Sequence, residues 1–388
     1  MSRPSQPLKW REHPVAKIPS GYQAAVAEVN GDGKLDILAL SSEQNIVEWY
    51  ENPSWKLRPI STGTPNNISL APLLWKGYAG HGLALATDFY LEESSRGGNV
   101  WWAQPDKTLD SEWKRTLIGT VPTSHRLRWG DFDGDGRPEL LDIPLLGAGA
   151  KAPEYSVGAA LTYFRIPDSV WHNEAAPRGE PERWPSHLID DSLTLVHGVH
   201  VLDWDGDGRD EFLTASREGV HLFHATGKGE NLRWVKTQLT PGLQESNLRR
   251  GSSEIDVGKV KGRRFLATIE PWHGEQVAVY FEAGVAGEWS RHVIDSSFRD
   301  GHALVCADLD GDGNDEIVAG FRGKGTSLYV YYASDAAGEK WERQTLDSQM
   351  AASCVVVTDL DGNGRLDIVA IGASTGNVKW YENLASRI

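Results

Sequence analysis

A short acidic loop that recurs five times constrains the fold of this 388-residue chain more than any other feature. Each loop follows the pattern D-x-D-G-D-G with small variations and closes with a carboxylate eight residues after its first position. The loops begin at Glu28, Asp131, Asp203, Asp308 and Asp359. The intervals from 28 to 131 and from 203 to 308 are about twice the interval from 308 to 359. We therefore expect one degenerate repeat in each long interval, near Thr87 and near Lys259, and seven repeats in total.

A second, independent marker also occurs seven times. A tryptophan stands near the start of a predicted strand at the end of each repeat, at Trp10, Trp55, Trp113, Trp184, Trp234, Trp289 and Trp341. Most repeats also carry an aromatic and β-branched run, such as Val47 to Tyr50, and such runs suit a pleated, half-buried surface. Four strands in roughly fifty residues make one blade of a propeller.

The predicted fold class is therefore all-β, a single seven-bladed β-propeller over residues 1–388. The chain opens on an outermost strand, Leu8 to Ile18, and ends on a third strand, Val378 to Asn383. We expect the N-terminal strand to close the last blade, because that pairing removes an exposed sheet edge. The third blade carries a long insertion at about 144–181, and long loops in compact repeats are usually functional.

The acidic loops predict calcium. They supply oxygen ligands at alternate positions, a backbone carbonyl at the seventh position and a terminal carboxylate, which hard Ca²⁺ prefers. We expect up to five structural Ca²⁺ ions. The predicted ligands are Glu28, Asn30, Asp32, Lys34 and Asp36; Asp131, Asp133, Asp135, Arg137 and Glu139; Asp203, Asp205, Asp207, Arg209 and Glu211; Asp308, Asp310, Asp312, Asn314 and Glu316; and Asp359, Asp361, Asn363, Arg365 and Asp367.

Each calcium loop is expected to join the innermost strand of a blade to the second strand. Six residues of strand then separate the loop from the start of the innermost strand, a distance of about 20 Å. A cation in the loop cannot contact a substrate bound at the other end. The calcium is therefore predicted to be structural.

The starts of the innermost strands are rich in histidine. Counting back six residues from each loop position gives Tyr22, His81, His125, His197, Ser253, His302 and Ser353. The loops between second and third strands should open on the same face, and they bring Arg96, Lys151, Tyr155, Arg217, Trp272, His273, Arg322 and Lys324. Imidazoles, cations and aromatic rings at one channel mouth would suit an anionic or enolising sugar.

Three interpretations of these histidines stay open. They could form an acid–base site, since imidazole titrates near neutral pH. His81, His125 and His197 could instead hold an additional divalent metal at the channel mouth, such as Zn²⁺. They could also cap backbone groups at a wet channel mouth without any chemistry. The sequence contains no Ser-His-Asp or Cys-His arrangement, no P-loop and no dinucleotide fingerprint that would favour another reaction.

Composition excludes several partners. The formal net charge of −15 argues against nucleic acid, which requires clustered Lys and Arg. No apolar run is long enough to cross a membrane, so no membrane association is expected. Cys306 and Cys354 allow at most one disulfide and are expected to be buried thiols. Residues 1–10 contain no apolar signal-peptide region, so the protein is expected to be cytoplasmic or secreted with its leader removed. A monomer is also expected.

The repeated loops resemble the FG-GAP or VCBS repeats of integrin-like propellers. A narrower resemblance rests on the segments Ser124 to Trp129, Pro144 to Gly147, Ala152 to Tyr155 and Val196 to Gly198, together with the loops that follow His125 and His197. These segments look like the propeller domain of aldos-2-ulose dehydratases, and seven-bladed polysaccharide lyases such as the L-rhamnose-α-1,4-D-glucuronate lyases have the same general look.

This resemblance implies a carbohydrate-active carbon–oxygen lyase that acts by β-elimination on a ketosugar or a uronate-containing glycan. His125 is then expected to be the base or acid, with His81 as its partner. The expected substrate contacts are Tyr22, Arg126, Tyr155, His197, Arg217, Trp272, His273, His302, Arg322 and Lys324. The alternative is a non-catalytic carbohydrate-binding propeller of lectin or adhesion type, with Trp272 and Tyr155 as stacking platforms.

Overall fold

A computed structural model describes residues 7–78, 81–174, 183–284 and 287–385. It contains seven four-stranded antiparallel sheets and a further two-stranded pair. The helices in these residues are one short α-helix, α1 (Asp168–Trp171), and a single turn of 3-10 helix, Gly229–Asn231. The predicted all-β, seven-bladed propeller class is confirmed.

The strands succeed one another along the chain in a regular order. The N-terminal strand is β1 (Trp10–Lys17). Blades one to three are β2 (Gly21–Ala27), β3 (Asp36–Ser41), β4 (Val47–Glu51) and β5 (Lys56–Ser61); β6 (Ser69–Pro72), β7 (Leu83–Thr87), β8 (Asn99–Gln104) and β9 (Lys114–Thr120); and β10 (Ser124–Gly130), β11 (Glu139–Pro144), β12 (Leu161–Phe164) and β13 (Ser186–Asp190).

Blades four to seven follow. They are β14 (Gly198–Leu202), β15 (Glu211–Ser216), β16 (Gly219–Thr226) and β17 (Arg233–Thr240); β20 (Glu254–Val260), β21 (Arg263–Glu270), β22 (Gln276–Glu282) and β23 (Trp289–Asp295); β24 (Gly301–Ala307), β25 (Glu316–Phe321), β26 (Ser327–Ala333) and β27 (Trp341–Asp347); and β28 (Ala352–Thr358), β29 (Asp367–Gly372) and β30 (Asn377–Asn383), completed by β1. The two-stranded pair is β18 (Leu243–Gln244) and β19 (Arg250–Gly251).

Burial depends on the position of a strand in its blade. Every residue of the second strands β3, β11, β15, β25 and β29 is buried, whereas outermost strands such as β5 and β27 keep polar residues exposed. A strand covered on both faces needs a nearly continuous apolar run, while a half-covered strand alternates. The predicted tryptophan marker stands at or near the start of each outermost strand, as at Trp289 and Trp341.

The N-terminal strand closes the last blade, as the sequence predicts. β1 pairs antiparallel with β30, from Trp10 opposite Asn383 to Lys17 opposite Asn377. The side-chain amide of Asn383 donates to the backbone carbonyls of Leu309 and Leu366, which ties this blade to the acidic loop of the preceding blade. The first and last parts of the described chain therefore form one sheet.

The chain divides into two compact units. One comprises residues 1–39, 50–56 and 239–388, and the other comprises residues 40–49 and 57–238. In the first unit the innermost strands β20, β24, β28 and β2 pack side by side, and in the second unit β6, β10 and β14 do so. The assignment of all 388 residues to one domain remains a prediction.

Of the two predicted positions of degenerate repeats, the one near Lys259 agrees with the structure and the one near Thr87 does not. Lys259 lies near the end of the innermost strand β20, and a tight turn at Lys261 and Gly262 replaces the acidic loop there. Thr87, however, ends the second strand β7, so its predicted placement at the end of an innermost strand is wrong. The innermost strand of that blade is β6, and the connection that replaces the acidic loop runs from 73 to 82.

The insertion of the third blade is split in two. Residues 145–160 connect β11 to β12, and residues 165–185 connect β12 to β13 and contain α1. The strand between them, β12, is only four residues long. Within the predicted insertion, residues 175–181 lie outside the described part of the chain.

Candidate functional site

A left-handed residue precedes the start of the innermost strand in six blades. These residues are Ser20, Asn66, Thr123, Leu195, Gly251 and Asp300, all with positive φ. The residues two positions later are Tyr22, Ile68, His125, His197, Ser253 and His302, and all six are buried. Most residues avoid positive φ, so its recurrence marks a shared backbone turn that gives these six side chains equivalent positions in their blades.

His81 does not take its predicted place. It is exposed and stands two residues before the second strand β7, while Ile68 occupies the equivalent position beside β6. The count of six residues failed because β6 is only four residues long and a ten-residue connection follows it. His81 is therefore removed from the predicted catalytic pair and from the predicted three-histidine metal site.

His273, Asp300 and Arg322 form a hydrogen-bonded group, which with His302 we call the Asp300 cluster. Nδ1 of His273 lies 3.1 Å from Oδ1 of Asp300, and a terminal nitrogen of Arg322 lies 3.1 Å from the same oxygen. The same Arg322 nitrogen is 3.3 Å from His273 Nδ1. Because the guanidinium can only donate, the consistent arrangement has both Nδ1–H and Arg322 donating to the carboxylate, which leaves the lone pair of neutral His273 on Nε2.

Local backbone geometry and long-range packing together build this cluster. His273 lies in the connection between β21 and β22 with φ 50°, and Asp300 precedes β24 with φ 64°. Arg322 directly follows β25. Non-glycine residues in the left-handed region carry strain that the surrounding structure must hold, and such residues concentrate at functional sites.

The electrostatics of the cluster separate its two titrating groups. Burial lowers the pKa of His273, and the hydrogen bond to Asp300 opposes part of that effect. Burial alone would raise the pKa of Asp300, but the His273 hydrogen bond and the Arg322 charge lower it to about 2. At neutral pH the carboxylate is ionised and the imidazole is neutral, which is the protonation state of a general base held by its orienting group.

His302 lies beside this dyad with a fixed tautomer. Its Nδ1 is 2.6 Å from the backbone carbonyl of Ser353, and a carbonyl can only accept, so Nδ1 carries the hydrogen. Its ring centroid lies 5.1 Å from that of His273 and 5.2 Å from that of Tyr22. The ring centroids of Trp272 and His273 are 4.6 Å apart. Four predicted site residues, Tyr22, Trp272, His273 and His302, are therefore neighbours.

A second group of predicted residues lies in the other unit. The rings of His125 and His197 are 4.8 Å apart, and Phe89 lies 5.6 Å from His125. Arg217 donates to the backbone carbonyl of Pro153 at 3.2 Å. Tyr155 has φ 39°, and burial together with the Glu92 charge raises its pKa, although Arg217 partly opposes this.

The other predicted substrate contacts are less well grouped. Arg126 is 7% exposed on β10. Lys324 is exposed in the same connection as Arg322. Arg96 forms an exposed ion pair with Glu93 and stacks on Tyr90.

Two acidic residues near these groups were not predicted. Asp300 has a signal in the sequence, since it stands two residues before His302 in R-D-G-H. Asp142 is fully buried in β11, accepts a hydrogen bond from Ser124 at 2.8 Å, and has a pKa that burial raises to about 8. Its signal is a charged residue between the apolar residues Leu141 and Ile143 of a second strand.

The five acidic loops share one hydrogen-bond pattern. In each loop the terminal carboxylate accepts the backbone N–H of the second loop position, as Glu139 accepts from Phe132 and Glu316 from Leu309. The first carboxylate accepts N–H groups from the turn, as Asp131 does from Gly136, whose φ is 88°. In the loops that begin at Asp131, Asp203 and Asp308, oxygens of three carboxylates lie within 4.8 Å of one another.

Burial and neighbouring carboxylates raise the pKa of the terminal residues. The pKa of Asp36 and of Asp367 rises to about 6, that of Glu139 to about 8 and that of Glu316 to about 9. In each case burial is the larger cause and nearby acidic groups add to it. An oxygen-rich group that resists ionisation on its own fits a hard cation such as Ca²⁺.

The fold and its acidic loops define the class, a seven-bladed β-propeller with FG-GAP-like repeats. Residues 97–283 match the family "Aldos-2-ulose dehydratase, beta-propeller domain", and residues 308–370 match the FG-GAP-like repeat. The resemblance to the aldos-2-ulose dehydratase propeller and to FG-GAP-like repeats is confirmed.

Among curated proteins, the chain is similar to aldos-2-ulose dehydratase of Phanerodontia chrysosporium. The two are 28% identical over 305 residues, which cover 72% of this chain and 32% of that enzyme. The chain thus matches about a third of its relative's length. Among solved structures, BBS1N in complex with ARL6DN has a TM-score of 0.55 at 12% identity, covering 98% of this chain and 97% of that one. That likeness shows the fold alone.

Cys306 and Cys354 form no disulfide, and they are partly buried, whereas the sequence predicted buried thiols. Within residues 7–78, 81–174, 183–284 and 287–385, no helix has the length and apolar character that a membrane span requires.

Proposed function

We propose that this protein is a carbohydrate-active carbon–oxygen lyase that acts by β-elimination on a ketosugar or a uronate-containing glycan. The similarity to aldos-2-ulose dehydratase supports a sugar-processing role. The observation that carries the proposed mechanism is the Asp300–His273 hydrogen bond beside Arg322. A neutral imidazole, a carboxylate that orients it and an adjacent cation are the parts that removal of an acidic C–H requires.

In the proposed reaction, Nε2 of His273 takes the proton from the carbon next to the sugar's carbonyl or carboxylate. The electron pair of that C–H bond moves onto the carbonyl oxygen, where the remaining N–H groups of Arg322 stabilise the negative charge. The charge then returns to form the C=C bond as the C–O bond at the next carbon breaks. The departing oxygen receives a proton from protonated His302, so the products are an unsaturated sugar and water or an alcohol.

His302 suits the acid role because Ser353 holds its other nitrogen. With Nδ1–H bonded to the Ser353 carbonyl, a second proton on this ring resides on Nε2. Trp272 is half-buried beside His273 and offers aromatic surface to a sugar ring, whereas the buried Tyr22 packs against His302. His125, predicted from the sequence as base or acid, stays a candidate through its contact with His197.

We also propose that the acidic loops bind up to five Ca²⁺ ions with a structural role. Their shared oxygen-rich geometry and the raised pKa of Glu139 and Glu316 support this. Each loop joins the innermost strand to the second strand, at the opposite end from the strand-start residues such as His302. Activity should therefore respond to calcium only through stability.

The test is a search for an unsaturated product. The full chain is incubated with a panel of aldos-2-uloses, related ketosugars and rhamnosyl-glucuronate glycans, and near-ultraviolet absorbance is followed. We expect one substrate class to yield a C=C chromophore, His273→Ala to abolish it, and His125→Ala to reduce it less. If product formation requires His125 but not His273, then the catalytic base would be assigned to His125 instead of His273. A wild-type protein that leaves the whole panel unchanged would contradict the proposal.

Sugar binding without turnover is the competing function. Trp272 is half-buried and could stack on a glycan, but Tyr155, the other predicted platform, is only 7% exposed. Glycan binding with intact ligand recovered afterwards would favour the lectin interpretation. A lectin also has little use for the Asp300–His273 pair, so Asp300→Asn should leave glycan affinity nearly unchanged in that case.

A further inference from the structure

The acidic loop at 203–211 differs from its counterparts by an imidazole. His224 lies on β16, directly across the sheet from the terminal carboxylate Glu211, because Phe212 pairs with Phe223. Its Nδ1 is 3.0 Å from Oε1 of Glu211. The other carboxylate oxygen, Oε2, accepts the backbone N–H of Trp204 at 2.8 Å. Oε2 of Glu211 is thus hydrogen-bonded to the loop backbone, and Oε1 lies next to the imidazole nitrogen of His224.

Asp205 completes a three-ligand group. Ligand atoms of Asp205, Glu211 and His224 all lie within 4.8 Å of one another, a spacing that one ion can bridge. The Glu211 side chain is 2% exposed, whereas that of His224 is 36% exposed and Asp205 is exposed. The group is rigid at its base and open to solvent, so an ion can enter without unfolding the blade.

The register of neighbouring blades gives no equivalent nitrogen ligand. The residue across from Glu139 is Arg165, whose guanidinium lies 3.7 Å from Asp133 and cannot act as a ligand. Tyr332 stands across from Glu316, and Glu382 stands across from Asp367. Among these four loops, only the one at 203–211 therefore receives a histidine at this position.

We propose that the 203–211 loop is a binding site for a borderline transition-metal ion of the Zn²⁺ type, held by Asp205, Glu211 and Nδ1 of His224. Ca²⁺ prefers oxygen ligands, whereas imidazole with carboxylates suits Zn²⁺ and its neighbours. Water fills the remaining coordination positions. The site is separate from the proposed catalytic group. An ion of this type would take the place of Ca²⁺ in this loop and leave the other four acidic loops for Ca²⁺.

The simpler role for His224 is a hydrogen bond to Glu211 with no metal. The variant His224→Gln separates the two, because a glutamine amide can still donate to the carboxylate but is a poor ligand for Zn²⁺. A matched control is Asp310→Asn, since the loop at 308–316 brings together Asp308, Asp310 and Glu316 with oxygen ligands only.

The experiment titrates Zn²⁺ into the full chain in excess Ca²⁺ by isothermal calorimetry, and repeats the titration with Co²⁺ followed by visible absorbance. Wild-type protein is expected to bind one more Zn²⁺ than His224→Gln and to develop more Co²⁺ absorbance than the variant does. Asp310→Asn should keep that Zn²⁺ and lose a Ca²⁺ instead. Any Zn²⁺ bound elsewhere cancels in the comparison. Equal Zn²⁺ stoichiometry and affinity in wild type and His224→Gln would overturn the proposal and leave His224 as a hydrogen-bond partner alone.

Discussion

Replacing Asp300 with asparagine removes one charge from the Asp300 cluster and keeps its shape. The pKa of Asp300 falls from its usual 3.8 to about 2 in the folded protein. Without screening this difference would correspond to about 2 kcal/mol of stability at neutral pH. The Asp300 side chain is 39% exposed, so solvent reduces the contribution to roughly 1 kcal/mol. We expect Asp300→Asn to lower the free energy of unfolding by that amount.

The pH dependence of this loss has a definite sign. A depressed carboxylate pKa gives stability that is fully present above pH 3.8 and disappears as the pH falls through about 2. The wild-type and Asp300→Asn proteins should therefore converge in stability within that window. Loss of the carboxylate should also lower the pKa of His273 further below 6.5, because the Asp300 hydrogen bond now raises it. The acid limb of the activity profile should move to lower pH.

The assay is the NMR titration of the His273 ring protons, assigned with His273→Ala, together with thermal melts across the acid range. The rate constant for elimination should fall by about 10² to 10⁴, the usual contribution of an oriented acid–base group. Asp168→Asn is the control. It also removes an aspartate that pairs with an arginine, Arg137, but the Asp168 side chain is 82% exposed. A His273 pKa that stays constant or rises in Asp300→Asn would refute the assignment of Asp300 as the positioning residue.

Three further predictions concern the scaffold. The pKa of Glu316 is raised from 4.5 to about 9, so the metal-free protein should lose stability as the pH rises through that range. Calorimetry with added Ca²⁺ should no longer show this dependence of stability on pH. Arg291→Met leaves Glu270 buried without its cation and should cost about 3–5 kcal/mol in urea unfolding, whereas retained stability would show that the ion pair contributes little to the fold. Deleting residues 1–18 removes β1, exposes the edge of β30 and should lower the melting temperature; an unchanged melt would mean that β1 contributes little to closure.

The repeat architecture was accessible from the sequence because its signals are local. The acidic loops set their own turn through glycines and side-chain acceptors within nine residues, as the loop at Asp131 illustrates. The closure of the last blade by β1 followed from the phase of the repeats alone. Local patterns of this kind need no knowledge of tertiary packing.

The errors and omissions have equally physical causes. His81 was misplaced because the second blade has no acidic loop to fix the phase and β6 is unusually short. His273 lies 27 positions before Asp300 in the sequence, and Arg322 lies 22 positions after it. Their hydrogen bonds to Asp300 therefore depend on how β21, β24 and β25 pack. His224 was missed because its contact with Glu211 is a cross-strand pair, which requires the register.

The most direct test of the proposed site is product analysis of one variant pair. Wild-type protein and His273→Ala are incubated with the responsive sugar at matched concentration, after calorimetry has established that both are folded. The account predicts an unsaturated sugar from the wild type alone. Equal amounts of that product from both proteins would contradict the claim that the Asp300 cluster performs the reaction.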